Sequence, residues 1–281
     1  MIFLWWHRRL AWSAQAKACG YPKQPLECEL VSLKAPKSLH PLWAKFLEPP
    51  AATGNGGSLP PAMMTESIIR IFEEAAPEYD AWFEKNRLAY ESELLALQRF
   101  LVPGGRGLEI GAGTGRFAPY LGLEVGVEPA KAMAGMAQKR GIKVVMATAE
   151  ALPFGSGTFH LVALVTVLCF LRDPLRALQE ATRVLQPGGQ ILLGMLDKES
   201  PLGRLYETHR QDSKFYRLAR FYAVGQVLDW LQSLAYDQVD ICQTIFTDLT
   251  GMTRPEPVKN GHGEGLFAVI SARKPRLTGG P

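Results

Sequence analysis

The fold is decided by residues 108–128, which read LEIGAGTGRFAPYLGLEVGVE. The first three of these residues are typical of the end of a short buried strand, and residues 123–127 are typical of the next strand. Between them, Gly111, Gly113 and Gly115 permit positive φ and let a ligand approach the backbone closely. The carboxylate that ends the stretch suits the two hydroxyls of a ribose. The stretch therefore predicts a nucleotide-type ligand beside a glycine turn.

The spacing of the glycines separates two ligands of this type. It is G-x-G-x-G, whereas the dinucleotide fingerprint is G-x-G-x-x-G, and Arg116 stands where the third fingerprint glycine belongs. Glu109 would repel a pyrophosphate but could hold the ammonium of a bound amino acid. Residues 116–121 are predicted to start a helix whose free N–H groups point at the ligand. A ligand with a ribose and a zwitterionic amino acid is S-adenosylmethionine (SAM), and the stretch resembles motif I of the class I SAM-dependent methyltransferases.

Other segments carry the same resemblance. Residues 79–82, YDAW, resemble a segment that covers the SAM pocket in methyltransferases similar to the ubiquinone/menaquinone C-methylating enzymes. Residues 147–154 and the LxPGG turn at residues 185–189 resemble further family motifs. Strand and helix patterns alternate over residues 106–196, which predicts a parallel α/β sheet. The resemblance implies a Rossmann-like class I methyltransferase fold, with a seven-stranded, mostly parallel sheet, an antiparallel last strand and helices on both faces.

The resemblance also implies which residues bind SAM. In the family an Asp accepts a hydrogen bond from the adenine amino group, whereas here Thr148 takes its place and is a weaker acceptor. Thr166, at the exit of the fourth strand, is expected to border the transferred methyl group. The glycine turn, the strand ends and the family motifs together assign SAM binding to Tyr79, Glu109, Gly111, Ala112, Gly113, Gly115, Glu128, Pro129, Thr148, Ala149, Glu150 and Thr166.

Composition separates residues 1–62 from the rest of the chain. They hold eight of the 20 prolines, and seven Lys or Arg against three Asp or Glu, whereas the remainder holds 24 basic and 24 acidic residues. We predict a Pro/Gly-rich, basic and poorly ordered extension over residues 1–62 and a methyltransferase domain over residues 63–281, its first helix capped by Thr65 or Ser67. A basic membrane-surface anchor at the N-terminus is the alternative. Residues 197–222, rich in Tyr, Phe and Arg, are predicted to form a substrate lid.

The predicted reaction is an in-line displacement, in which a substrate atom attacks the methyl group of SAM and S-adenosylhomocysteine leaves. Such a reaction needs no metal ion, and the scattered cysteines and histidines show no metal-ligand spacing. A general base is needed only if the substrate loses a proton. The sequence offers four candidates for it: His262, Glu264, His209 and Tyr222. A SAM-binding protein without catalysis and a nicotinamide-dependent oxidoreductase are the alternatives.

The charge pattern restricts the partners. Because the body of the chain is neutral, it lacks the basic footprint of a nucleic-acid-binding protein. We predict a small, partly apolar methyl acceptor, since the 197–222 segment is aromatic. No stretch has the length and apolar character of a transmembrane span. Four cysteines without a C-x-x-C pair fit a reducing compartment, and we predict a cytoplasmic protein. No pattern in the sequence indicates an oligomeric state.

Overall fold

Eight strands form one sheet in the part of the chain that the computed structural model describes, residues 61–102 and 104–276. The strands are β1 (Gly107–Ile110), β2 (Val125–Val127), β3 (Lys143–Val145), β4 (Phe159–Val165), β5 (Leu185–Leu196), β6 (Asp237–Thr244), β7 (Lys259–Asn260) and β8 (Phe267–Arg273). The α-helices are α1 (Pro61–Glu74), α2 (Ala76–Lys85), α3 (Arg87–Gln98), α4 (Ala118–Leu121), α5 (Lys131–Lys139), α6 (Pro174–Val184), α7 (Pro201–Thr208) and α8 (Val224–Ser233).

The strand order is β3-β2-β1-β4-β5-β8-β6-β7. Strands β1 to β5 pair in parallel, and β8 is antiparallel to both β5 and β6. This confirms the predicted Rossmann-like fold, including the antiparallel last strand. The order reverses between β1 and β4, and ligands of open α/β sheets bind at such a point, beyond the carboxyl ends of the strands.

The predicted strand count was too low by one. Strand β7 has only two residues and lies within residues 251–264, which were predicted to be a loop; it pairs with Cys242 and Gln243 of β6. Both of its residues are exposed, so no alternation of apolar and polar side chains marks it in the sequence.

Helices cover both faces of the sheet. Helices α6 and α8 pack on the face that holds Leu108 and Ile110, whereas α3 and α4 pack on the opposite face. Helix α6 begins at Pro174, because the Asp173 carboxylate accepts a hydrogen bond from the Arg176 N–H (2.9 Å) and Pro174 occupies the first turn. No helix in residues 61–102 and 104–276 is long and apolar enough to cross a membrane.

Two helix boundaries differ from the prediction. Helix α1 begins at Pro61, so Thr65 and Ser67 lie inside it and do not cap it. Helix α4 begins at Ala118, two residues later than predicted, and Gly122 ends it with a φ of 67°. The predicted extension, residues 1–62, lies outside the described residues apart from the two that begin α1, and the domain boundary stays a prediction.

Candidate active site

A cleft lies at the carboxyl edge of the sheet, above the point where the strand order reverses. It encloses about 780 Å³, including space open to solvent. The turn after β1, the ends of β2 and β4, the segment after β3 and helices α1 and α2 form its walls. It brings together nine of the twelve residues predicted to bind SAM: Tyr79, Gly111, Gly113, Glu128, Pro129, Thr148, Ala149, Glu150 and Thr166.

The glycine turn has two different sides. Gly113 has a φ of 53°, and a Cβ added to it would lie 3.6 Å from the Tyr79 ring, facing the cleft. Gly115 has a φ of 79°, and a Cβ there would lie 2.9 Å from the Ala137 Cα of helix α5. The first glycine therefore leaves room for a ligand, and the second permits close packing of the turn against α5. Ala112 and Gly115 do not line the cleft, although both are predicted SAM-binding residues.

Glu128 joins the end of β2 to the glycine turn. One carboxylate oxygen accepts a hydrogen bond from the Gly113 N–H (2.9 Å), and the other accepts one from the Ala130 N–H (2.9 Å). Burial raises the pKa of Glu128, and these two backbone hydrogen bonds oppose the rise. Because each carboxylate oxygen has a second lone pair, both can still accept from a ligand hydroxyl.

Glu109 lies beneath the turn and does not line the cleft. Its residue is 1% exposed, and Oε2 has no hydrogen-bond partner among the described residues. Burial raises the pKa of Glu109 to about 8, and a hydrogen bond from the backbone of Ala118 opposes this rise. The predicted contact between Glu109 and the ammonium of a bound amino acid stays a prediction.

The segment after β3 forms the far wall of the cleft. Thr148 and Ala149 line it, and Ala149 is buried. Glu150 Oε1 accepts hydrogen bonds from the backbone N–H groups of Arg172 (3.1 Å) and Asp173 (3.3 Å). These bonds hold the wall against the segment that precedes α6.

Another part of the cleft lining is aromatic. Phe72 of α1 contacts Tyr79 of α2, Phe170 of the turn after β4 and Phe215 of the 197–222 segment, with ring centroids 5.6, 5.0 and 5.6 Å away. We call these four residues the aromatic cluster. Beside it, the Tyr79 hydroxyl lies against the side chain of Thr166, which has a φ of 52° and whose N–H donates to the Gly194 carbonyl (2.8 Å). A positive φ is uncommon for a β-branched residue and is typical of functional sites.

Comparison with known proteins identifies the family. Residues 108–193 match the family model described as a methyltransferase domain. A protein of Methanocaldococcus jannaschii is 45% identical over 206 residues, which cover 73% of this chain and all of that one. The solved structure of a Thermotoga maritima SAM-dependent methyltransferase, described as a possible histamine N-methyltransferase, is 44% identical with a TM-score of 0.71, covering 73% of this chain and 99% of that one. The chain belongs to the SAM-dependent methyltransferases.

The resemblance to quinone-modifying enzymes is also found, at lower identity. A ubiquinone/menaquinone biosynthesis C-methyltransferase of Coxiella burnetii is 27% identical over 172 residues, which cover 54% of this methyltransferase and 69% of that protein. The methyl donor is SAM and the product is S-adenosylhomocysteine. The cleft fits this donor. Gly113 has no side chain that would fill the space beside Tyr79, and Glu128 lines the same cleft.

An ion-pair network of the methyltransferase fixes helix α2 to the glycine turn. The Asp80 carboxylate accepts hydrogen bonds from Arg116 (2.6 and 2.8 Å) and Arg140 (2.9 Å), and Arg140 also donates to the Thr114 carbonyl (2.8 Å). Burial alone would raise the pKa of Asp80, but the bonds from Arg116, Thr114 and Arg140 lower it to about 2. Arg116 stands where the dinucleotide fingerprint has its third glycine. By binding Asp80, it holds the adjacent residue Tyr79 in place. The sequence gives no signal for these pairs, because the partners are 36 and 60 residues apart.

None of the four predicted base candidates lines the cleft of the methyltransferase. His262 is exposed, with Nδ1 3.8 Å from the Asp197 carboxylate, and Glu264 pairs with Lys259. His209 contacts a backbone carbonyl of its own helix, and Tyr222 is buried beneath α8 against Trp230. Their assignment as a general base stays a prediction.

Proposed function

We propose that the enzyme transfers the methyl group of SAM to a small, partly apolar molecule bound between Thr166 and the aromatic cluster. When bound, SAM supplies a methyl group that its sulfonium has already activated. The contribution of the chain is to align the acceptor with this group and to exclude water. Alignment of this kind can lower a barrier by ~7–11 kcal/mol.

The aromatic cluster carries the proposal. Its four side chains come from four separate segments, and three of them, Phe72, Tyr79 and Phe170, line the cleft. Aromatic walls favour an acceptor with apolar surface, and such a pocket holds a small molecule better than a polymer. Among the described residues that line the cleft, Arg172 alone carries a positive charge, so the cleft lacks the basic track that binds a nucleic-acid backbone.

The 197–222 segment is proposed to be the lid of this pocket. Its Phe215 ring stacks on Phe72 at 22°, and its Lys214 forms an ion pair with Glu78 of α2. The Tyr216 ring stacks on Phe170 (5.8 Å, 11°). These contacts join the segment to α1, α2 and the turn after β4, which are the three other elements that form the aromatic end of the cleft.

The opposite end is proposed to hold the rest of SAM. Glu128 would accept from the ribose hydroxyls, the backbone of Gly111 and Gly113 would lie against the amino-acid portion, and Thr148 and Ala149 would contact the adenine. These three groups of contacts lie side by side, because their residues follow β1, β2 and β3, which are neighbours in the sheet. In this arrangement the methyl group would point toward Thr166 and the aromatic cluster.

A relative supports a small acceptor. The Thermotoga maritima protein, 44% identical to this chain, is described as a possible histamine N-methyltransferase. Histamine combines an aromatic ring with an amine and has the size that an aromatic-walled pocket would bury.

Labelled methyl transfer tests the proposal. The enzyme is incubated with methyl-labelled SAM and, separately, with a small-molecule metabolite extract, transfer RNA and duplex DNA, and the label is followed into each fraction. We expect label in small molecules that partition partly into an organic solvent. Label in a nucleic acid alone would contradict the proposal. Thermal shifts with SAM, S-adenosylhomocysteine and NAD, measured in parallel, report whether the preparation binds its donor.

A further inference from the structure

Helix α3 carries a buried acid, Glu93, whose charge acts on Tyr79 of the aromatic cluster. Glu93 is 4% exposed, and burial raises its pKa to about 8. No basic side chain in residues 61–102 and 104–276 forms an ion pair with its carboxylate. Burying a carboxylate without a positive partner is costly. A packing role alone would be served better by an apolar side chain.

The direction of α3 places Glu93 near the reacting end of the cleft. Phe100, just after α3, accepts a hydrogen bond from the Gln190 side chain (2.7 Å) near the amino end of the parallel part of β5. The Leu97 side chain lies beside Gly194, because a Cβ added to Gly194 would be 3.3 Å from it. Gly194 in turn pairs with Val165, at the carboxyl end of β4. Glu93 is one helical turn, ~5 Å, farther in the same direction and on the same face as Leu97. Glu93 therefore lies toward the carboxyl edge of the sheet, the edge at which Thr166 follows β4.

The charge of this carboxylate acts on tyrosines from two other segments, helix α2 and the 197–222 segment. Burial is the largest cause that raises the pKa of Tyr79, Tyr206 and Tyr216, and the negative charge of Glu93 adds to the rise in each. Tyr90, one turn earlier on α3, is affected in the same way. Tyr79 is shared with the cleft, where its hydroxyl lies against Thr166. A carboxylate among aromatic rings is suited to an ammonium group, which pairs with the charge and is attracted to the ring faces.

We propose that Glu93 binds the acceptor as a cationic amine and takes up its proton, so that the enzyme methylates nitrogen. The proposal rests on the proposed function and names the acceptor class. It adds a residue that neither the motifs of the sequence nor the lining of the cleft identifies.

The proposed step balances as follows. An ammonium ion bound at Glu93 gives one proton to the carboxylate and becomes a neutral amine with a free electron pair. That pair forms the new nitrogen–carbon bond as the carbon–sulfur bond of the donor breaks, and the sulfur keeps the electrons of the broken bond. The products are a methylated ammonium ion, S-adenosylhomocysteine and protonated Glu93. The carboxyl group returns its proton to solvent when the products leave. A carboxyl with a pKa of about 8 suits this exchange, since it is near the operating pH.

Matched pairs of ligands test the proposal without knowledge of the natural acceptor. The pairs are 2-phenylethylamine with 2-phenylethanol, tyramine with tyrosol, and hexylamine with hexanol. Each is titrated calorimetrically into the full-length enzyme saturated with S-adenosylhomocysteine. We expect at least one amine to bind about tenfold or more tightly than its alcohol, because a hydrogen bond to a charged group is the stronger kind. Glu93→Gln should reduce this preference to about twofold or less.

Glu91→Gln provides the matched control. Glu91 is on the same helix but partly exposed, where it pairs with Arg87, and its loss should leave the amine preference unchanged. The pH dependence of wild-type binding adds a test that needs no variant. Affinity for the amine should fall as the pH drops below about 8, because protonated Glu93 no longer pairs with it, whereas affinity for the alcohol should stay constant. The tyrosines that face Glu93, at positions 79, 90, 206 and 216, have raised pKa values and keep their protons throughout.

Three results would overturn the proposal. The first is the absence of any amine preference in all three pairs, and the second is a preference that survives in Glu93→Gln. The third is a Glu93→Gln enzyme that loses affinity for SAM but not for S-adenosylhomocysteine, since the carboxylate would then serve the sulfonium. Failure of the proposed function looks different, because then the wild type would bind neither SAM nor S-adenosylhomocysteine, or would label no small molecule.

Discussion

The two ends of the cleft are built in different ways. The proposed donor end consists of backbone groups and one carboxylate from residues 108–128, where the glycines and Glu128 follow β1 and β2 directly. The proposed acceptor end takes its side chains from α1, α2, the turn after β4 and the 197–222 segment, and Glu93 of α3 is proposed to join them, so its parts span more than a hundred residues. A donor site made of backbone changes little when surface side chains change. An acceptor site made of distant side chains can take a new substrate without disturbing the donor site.

The largest expected effect is at the turn. Gly113→Val places a β-branched side chain at a φ of 53° and in the space beside Tyr79, and we expect SAM affinity to fall about 100-fold, from steric exclusion added to backbone strain. Gly122→Val is the control, because Gly122 also has a positive φ (67°) but has no atom within 4 Å of an added Cβ. Calorimetry on both variants separates strain from exclusion. Equal losses in the two would show that Gly113 is not at the donor site.

A smaller effect is expected from the carboxylate. Glu128→Ala removes the acceptors of the Gly113 and Ala130 N–H groups together with the proposed ribose contact, so SAM binding should weaken by ~1–3 kcal/mol. Glu128→Gln keeps one acceptor oxygen and should lose less. SAM affinity equal to that of the wild type in a folded Glu128→Ala enzyme would remove Glu128 from the donor site.

The acceptor end should respond independently. Phe215→Ala removes two ring contacts of the aromatic cluster, with Phe72 and Tyr79, each of which contributes ~0.5–1.5 kcal/mol beyond its buried area. We expect the KM for the acceptor that the labelling experiment identifies to rise by up to about tenfold. SAM affinity should stay within twofold of the wild-type value. Equal losses for donor and acceptor would show that the two ends are not independent.

The smallest expected effect is at Thr148, where the chain departs from its family. Thr148→Asp restores a charged acceptor, which forms the stronger hydrogen bond, but burial and the charge of nearby Glu150 oppose it. We expect SAM and S-adenosylhomocysteine to gain equally, by ~1 kcal/mol or less. A gain for SAM alone, measured by calorimetry, would place residue 148 near the sulfonium instead of the adenine.

The same contrast explains what the sequence could predict. The residues of the proposed donor end could be named from the sequence because they adjoin one another and each has a local reason, such as positive φ at Gly111 and Gly113. The start of α4 was predicted two residues too early, because Pro119 fits only the first turn of a helix and α4 begins at Ala118. Three predicted contacts, at Glu109, Ala112 and Gly115, lie outside the lining, because a motif names positions without distinguishing residues that face a ligand from residues that support the turn.

The acceptor end could not be assembled from the sequence. The partners of Phe72 lie up to 143 residues away, and no short-range pattern relates them. Glu93 did leave a signal, since it falls on the buried face of α3 between Ala89 and Leu97, where an apolar residue is expected. An acid at a core position of an amphipathic helix marks either a buried pair or a functional group.

Three buried carboxyls lie in or beside the cleft, at positions 93, 109 and 128, and burial raises the pKa of each. The folded chain therefore holds more protons than the unfolded chain from the ordinary glutamate pKa, 4.5, up to about 8 for Glu93 and Glu109. Folding stability must fall as the pH rises through that interval. The empty enzyme should thus melt at a lower temperature at pH 9 than at pH 6. Adding the positively charged donor should restore part of the lost stability. The region proposed to perform the chemistry is therefore also the region where the fold gives up thermal stability.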